Sequence, residues 1–201
     1  YKTPMHTIKN GVTIVNGTKL SFFGEHNLQN MNAAKLVCNE LGITNNKFYH
    51  AISSFIGASN RLELIKETEE YAFYKDFAHS PSKLKATIDS MKNQFPQRKL
   101  IACMELHTFS SLNNKFINQY KDCMRKADRA IIYFDPNNIT NKKLNQITKN
   151  EIQNAFNSKD LLVYTDSEML LNKLKSIRWK EKNLLMMSSG NFNNLDLSLL
   201  N

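Results

Sequence analysis

An aromatic, strand-forming run, Tyr71–Lys75, breaks at Asp76-Phe77-Ala78-His79 and restarts as an amphipathic helix from Pro81 to about Phe95. No other stretch constrains the fold as strongly. Ser80 is a natural N-cap, and Pro81 suits the first helical position because its missing N–H is an orphan there anyway. A strand that delivers an acid and an imidazole into the turn before a helix is a place where α/β proteins put chemistry. The helix N-terminus attracts anions, and the turn aims polar side chains at a ligand. Asp76 and His79 can also simply bond the local backbone.

Strand–helix alternation continues from residue 62. Strands fit Leu62–Ile65, Tyr71–Lys75, Leu100–Glu105, Ala130–Phe134, Leu161–Tyr164 and Leu184–Met187; helices fit Pro81–Phe95, Ser111–Ala127, Thr148–Phe156 and Ser167–Ile177. That order implies an α/β fold with a doubly wound, mostly parallel sheet covered on both faces. Right-handed crossovers put the strand C-termini along one edge. His79, His107 and Ser188-Ser189-Gly190 all fall just beyond strand ends in this layout. Asp135–Asn141 reads as an Asn-rich surface loop.

Upstream, Val12–Val15, the turn Asn16-Gly17 and Thr18–Phe23 read as a β-hairpin, since Asn-Gly tolerates positive φ. No first strand is evident before it, and the start at Tyr1 suggests a chain that begins inside a larger protein. Asn27 is the expected cap of a helix running to Leu41 and stopping at Gly42. Asn27 and Asn30 lie three apart, so both can face one ligand near the positive helix end. An asparagine amide can pair with the N6/N7 edge of adenine; capping plus a solvated amide is the plainer alternative. A second helix spans Thr44 to Phe55. Arg61, in the turn that follows, can bind a phosphate or ribose or be a surface arginine.

Composition narrows the function classes. A chain of 201 residues, 41% hydrophobic, can bury a sizeable core. Its net charge of +9 favours acidic partners, but the 27 Lys and Arg are spread without an arginine-rich block. Small anionic substrates therefore fit better than nucleic acid. Cys38, Cys103 and Cys123 have no CxxC spacing and read as reduced core thiols rather than zinc ligands or a disulfide frame. No signal peptide or bilayer-length apolar run is present, so a cytoplasmic protein is expected.

Taken together, the turns resemble the Mur ligase family. Gly24-x-His26-Asn27-x-x-Asn30-x-x-Ala33-Ala34, Asn60-Arg61-Leu62-Glu63 and Asp76-Phe77-Ala78-His79-x-Pro81 follow its order and spacing. Glu105-Leu106-His107-Thr108-Phe109-Ser110 is similar to the His-[Thr/Arg]-[Phe/Tyr]-Ser turn of UDP-N-acetylmuramate–L-alanine ligases. Met187-Ser188-Ser189-Gly190-Asn191-Phe192 is closer to the Met-Ser-Asn-Gly-Gly-Phe of murein peptide ligases. The resemblance runs from about Val12 to Leu200.

That resemblance implies residues 1–59 from the tail of a central ATP-binding domain and residues 60–201 as a Rossmann-like C-terminal domain. It implies a bacterial, ATP- and Mg2+-dependent ligase of peptidoglycan synthesis or recycling, with the magnesium ligands mainly upstream and no metal site here. The acceptor is UDP-N-acetylmuramate, and the amine is L-alanine or L-Ala-γ-D-Glu-meso-diaminopimelate. The other Mur ligase domains are implied partners. Asn30 matches the adenine-holding asparagine, with His26 and Asn27 beside it. Arg61 and Asp76 match residues that contact ribose and phosphates, and His79 matches the motif histidine near the phosphates, the catalytic candidate. His107, Thr108, Ser188, Ser189 and Asn191 are candidates for the amine-substrate site.

The sequence also departs from the family. No Gly-x-x-x-x-Gly-Lys-[Ser/Thr] loop occurs in these 201 residues, so this polypeptide is not expected to ligate alone. Lys75 replaces an aspartate, Ser80 a histidine, Asn60 a common arginine and Leu106 a proline. These changes bear on substrate identity more than on fold. The alternatives are a ligase like folylpolyglutamate synthase, against which the His107-Thr108-Phe109-Ser110 turn speaks, and a non-catalytic nucleotide- or muropeptide-binding module.

Overall fold

Alternate residues of the central strands enter two separate cores, which is the pattern of a sheet buried on both faces. Ala72, Tyr74, Leu100, Ala102, Met104, Ile132, Leu185 and Met187 pack on one side; Phe73, Ile101, Cys103, Ile131, Tyr133, Leu184 and Met186 pack on the other. The structure, a computed structural model, describes residues 2–200. The large sheet contains β4 (Glu63–Glu67), β5 (Ala72–Asp76), β6 (Lys99–Glu105), β7 (Arg129–Tyr133), β8 (Leu162–Tyr164) and β9 (Lys182–Met187). Their spatial order is β4-β5-β9-β6-β7-β8, with β4 antiparallel to β5 and every other pairing parallel. This is a Rossmann-like α/β sheet. The last strand returns past β7 and β6 to insert between β5 and β6, so the turns after β5, β9 and β6 are neighbours on the C-terminal edge.

Helices α3 (Pro81–Gln94), α4 (Pro136–Asn141) and α5 (Lys149–Ala155) cover the first face, and α6 (Ser167–Lys175) covers the second with the C-terminal tail. Each starts on a cap the sequence supplies. Thr148 and Glu151 form a reciprocal capping box on α5, and Asp166 accepts the Met169 N–H of α6. Ser80 occupies the N-cap of α3, though its side chain makes no capping bond.

The N-terminal residues form a three-stranded antiparallel sheet, β1 (Thr7–Lys9), β2 (Val12–Val15) and β3 (Thr18–Leu20), followed by α1 (Glu25–Glu40) and α2 (Asn45–Ile52). They share a small core of Val15, Leu20, Phe22, Leu28, Met31 and Phe48. This unit is tied to the large one. The Thr13 hydroxyl donates to Gln94 Oε1 at 3.0 Å, Gln94 Nε2 donates to the Gly11 carbonyl at 2.7 Å, and Phe23 packs edge-on against Tyr74 and Phe95. No helix among the described residues is long and apolar enough to cross a membrane.

Four expectations need correction. A first strand does exist: β1 pairs with β2 across Asn10-Gly11, whose φ values of 51° and 72° repeat the turn at Asn16-Gly17. The signal was present in the upstream Asn-Gly pair. Asn27 does not cap α1, whose N-cap is Gly24, three residues earlier. Residues 111–127 do not form a long helix; they hold turns and a 3-10 segment at Ile117–Tyr120. The Asn113 side chain accepts the Lys115 N–H, and Asp122 takes φ +60°, so local polar side chains compete with the helical ladder. Asp135–Asn141 is no loop: Asp135 accepts the Asn137 N–H, Pro136 starts α4, and Ile139 anchors it in the core.

Candidate functional site

Five residues from three separate segments meet at one cavity of about 760 Å3. His26, Asn27 and Asn30 come from the first turns of α1, Arg61 from the crossing between the two units, and Asp76 from the end of β5. Phe22, Met31, Ala34, Ile52 and Phe55 give the cavity apolar walls, and Ser82 and Lys83 bring in the N-terminus of α3. A flat apolar ring and an anionic tail would both be matched here, the ring by the walls and the tail by Arg61, Lys83 and the positive helix end.

Gly24 lets these parts approach. With φ +92°, it would place a Cβ 2.9 Å from Ser90 Oγ and 3.3 Å from Leu62 Cδ1, so a side chain would push α1 away from α3. Asn27 and Asn30 have different jobs. The Asn27 amide donates to the Phe23 carbonyl at 2.9 Å, anchoring the helix start. No hydrogen bond ties the exposed Asn30 amide to the rest of the described chain, which leaves it free for a ligand.

Asp76 is buried and shapes the cavity floor. Its Oδ2 accepts the Leu62 N–H at 2.8 Å, and its Oδ1 accepts the Ala78 N–H at 2.7 Å and the Thr87 hydroxyl at 3.4 Å. Arg61 lies over the Phe77 ring at 5.5 Å, and His79 packs edge-on against the same ring. Phe77 thus braces the guanidinium, a role that its place within the turn motif could have suggested. His79 does not line the cavity; its Nδ1 pairs with the Phe77 carbonyl at 2.9 Å, and its own carbonyl accepts the Tyr120 hydroxyl at 2.5 Å. Burial lowers the His26 pKa from its ordinary 6.5, a shift that Arg61 supports and that Asp76 and Glu25 oppose.

The remaining candidates gather at a second place, the adjoining turns after β6 and β9. His107 and Ser188 approach each other through Glu105, which sequence reasoning passed over. An acid ending an otherwise apolar strand was the available signal. The Ser189 hydroxyl oxygen is buried without a partner beside them. Thr108 bonds Ser110 and Ser111 within its own turn, and Asn191 bonds Asn194 on the surface. Among the described residues no group of three or more His, Cys, Asp or Glu could hold a metal. All three cysteines are free; Cys103 and Cys123 are buried, and burial raises both thiol pKa values.

The family profile described as "Mur ligase, glutamate ligase domain" matches residues 60–190. The chain belongs to the Mur ligase family. A UDP-N-acetylmuramate–L-alanine ligase of Caldicellulosiruptor bescii is 36% identical over 114 residues, 57% of this chain and 25% of that protein. One from Desulfitobacterium hafniense is 29% identical over 124 residues, 59% and 27% of the two chains. The solved UDP-N-acetylmuramate–alanine ligase of Thermotoga maritima superposes with a TM-score of 0.70 at 17% identity, covering 94% of this chain and 42% of that one. Mycobacterium tuberculosis folylpolyglutamate synthase, complexed with ADP and AMPPCP, has a TM-score of 0.63 at 12% identity, with 93% and 45% covered. These superpositions establish the Mur ligase fold. The chain spans about a quarter of the length of the curated relatives it matches. The cavity residues divide across the match: Arg61 and Asp76 lie inside residues 60–190, whereas His26, Asn27 and Asn30 precede it.

Proposed function

We propose that this chain is the C-terminal part of an ATP-dependent ligase that joins an amine to the carboxylate of UDP-N-acetylmuramate in peptidoglycan synthesis or recycling. The convergence of His26, Asn27, Asn30, Arg61 and Asp76 on one cavity carries the reading. In it, residues 1–59 belong to a central ATP-binding domain and residues 60–201 form the C-terminal domain. The names of the 36%- and 29%-identical relatives favour L-alanine as the amine. The turn after β9 supports the tripeptide L-Ala-γ-D-Glu-meso-diaminopimelate instead.

ATP would convert the carboxylate to an acyl phosphate, which the amine then attacks. This chain's residues bind and orient. Asn30 pairs with the adenine edge between apolar walls, and Arg61, braced on Phe77, meets the ribose or phosphates. Negative charge gathers in both transition states, so the Arg61 and Lys83 cations and the α3 N-terminus lower their energy. Asp76 acts by holding the turn and the crossing in register, and His79 stands one turn away behind Phe77. Closing this domain on the others would align amine and acyl phosphate. In this reading the Mg2+ ligands lie mainly in the upstream domains; among the described residues no group of three or more His, Cys, Asp or Glu could hold a metal.

The test is phosphate release by the protein with its upstream domains, given ATP and UDP-N-acetylmuramate, with L-alanine and the tripeptide in parallel. Turnover with L-alanine identifies a synthetic enzyme, and turnover with the tripeptide a recycling one. A folded protein inactive with both would overturn the proposal. The 201-residue chain alone, lacking a phosphate-binding loop, is expected to be inactive and to bind ATP weakly.

A further inference from the structure

Glu105 ends β6 at the C-terminal edge of the sheet and is 2% exposed. A carboxylate buried there needs donors, and no lysine or arginine among the described residues supplies one. Its Oε2 instead accepts the Ser188 hydroxyl and, at 2.9 Å, the Phe192 N–H. Its Oε1 faces His107 Nδ1 at 3.5 Å. One side chain therefore joins the turn after β6 to the turn after β9.

The turn after β9 is built around this carboxylate. Ser188 Oγ accepts the Gly190 N–H at 2.6 Å. A Cβ at Gly190 would lie 2.8 Å from both Glu105 Oε2 and His107 Nδ1, so the backbone passes directly over the pair. Beyond it, Phe192, Asn193 and Asn194 hold φ of +53°, +56° and +57° in succession. Left-handed geometry is costly for a phenylalanine, and three such residues in a row persist only where their surroundings impose it. Glu105 holds the Phe192 N–H, and the buried Phe192 ring stacks on Tyr133 at 5.9 Å.

We propose that Glu105 is a positioning residue that fixes His107 in the Nδ1–H tautomer and clamps the 188–194 turn, leaving His107 Nε2 as an acceptor. The negative charge of Oε1, 3.5 Å from Nδ1, favours a proton on that ring nitrogen over the distal one. Asn138, whose amide lies 3.5 Å from the same nitrogen, then presents its oxygen instead. The role assigned to that acceptor, facing the amine substrate, rests on the function proposed above; the tautomer and the clamp do not.

The test is long-range 1H–15N correlation on the 15N-labelled 201-residue chain, at a pH well above the imidazole range. The wild-type His107 ring should carry its proton on Nδ1. In Glu105→Gln, the amide oxygen can still accept from Ser188 and Phe192, while its NH2 group now points at Nδ1. The tautomer ratio should shift severalfold toward Nε2–H, because a charge that attracts the Nδ1 proton across 3.5 Å is replaced by an NH2 group that disfavours it. A wild-type ring protonated on Nε2 would overturn the proposal, and so would a folded Glu105→Gln protein with an unchanged His107. Should Glu105→Gln not fold, the wild-type tautomer decides alone. In the longer protein, Glu105→Gln should lower kcat while leaving the KM for ATP unchanged. Inactivity of the wild-type longer protein would count against the ligase reading and leave the tautomer result standing.

Discussion

The Asp76 carboxylate accepts the Leu62 N–H at 2.8 Å, and Leu62 sits in the left-handed region at φ +47° with its side chain buried. Asn60, two residues earlier, also has positive φ, and its carbonyl accepts the Phe77 N–H at 2.8 Å. The crossing between the small and large units is thus a strained segment locked onto the end of β5. An Asp76→Asn change keeps the volume but turns one acceptor into a donor facing N–H groups. It should cost about 1–3 kcal/mol, the penalty for leaving buried donors unpaired. Urea unfolding of the 201-residue chain measures this, and an unchanged midpoint would show that the crossing is held by something else.

Asn27 and Asn30 should separate stability from binding. Asn27→Ala removes the bond to the Phe23 carbonyl and should cost about 1 kcal/mol in unfolding. Asn30→Ala breaks no bond within the described chain and should stay within about 0.5 kcal/mol of wild type. In the longer protein Asn30→Ala should weaken ATP binding by roughly tenfold or more, the scale of an asparagine–adenine pair. Titration calorimetry beside thermal melts tests both arms. Equal ATP affinity for Asn30→Ala and wild type would remove Asn30 from the nucleotide site.

His26 predicts a pH dependence. Burial lowers its folded-state pKa below the ordinary 6.5, so the unfolded chain takes up a proton that the folded chain resists. Its contribution to stability is complete above about pH 6.5 and is lost as pH falls through the lowered folded value. Denaturant midpoints for wild type should decline across that window, and His26→Gln should show a shallower decline. Parallel profiles for the two proteins would contradict this.

Tyr120 should matter more than its distance from the cavity suggests. Its ring stacks on Phe156, and its hydroxyl donates to the His79 carbonyl at 2.5 Å, pinning the start of α3. Tyr120→Phe keeps the stack and removes the bond. It should cost about 0.5–1.5 kcal/mol and speed amide exchange at Leu84, whose N–H donates to the Ser80 carbonyl in the first turn of α3. Unaltered exchange there would mean that Pro81 and the Asp76 bonds suffice to hold the turn.

The strands were legible because their apolar runs leave few alternatives. A strand such as Leu100–Met104, apolar on both faces, can only sit inside a covered parallel sheet. The turn motifs around Asn30, Arg61 and Asp76 were legible through their spacing. Residues 111–127 were not: Leu112, Ile117, Tyr120 and Met124 are all buried, yet turns serve that burial as well as a helix would. Periodicity reports which residues go inside and is silent on the backbone path when asparagine and aspartate compete for its hydrogen bonds.

By itself the sequence determined the α/β class, the Asn-Gly turn at residues 16–17, and the candidate residues now gathered at the cavity. Only the tertiary structure decided which of them remain free. Asn27 is spent on Phe23, His79 stands outside the cavity, and Asn30 is left open. It also decided the part played by Glu105. An acid at a strand end reads as solvent-facing, and it becomes a buried clamp only because β9 inserts between β5 and β6, bringing Ser188 and Phe192 to it from more than eighty residues away. Local propensity acts over a few residues, whereas strand order is set by how the whole sheet buries its two faces.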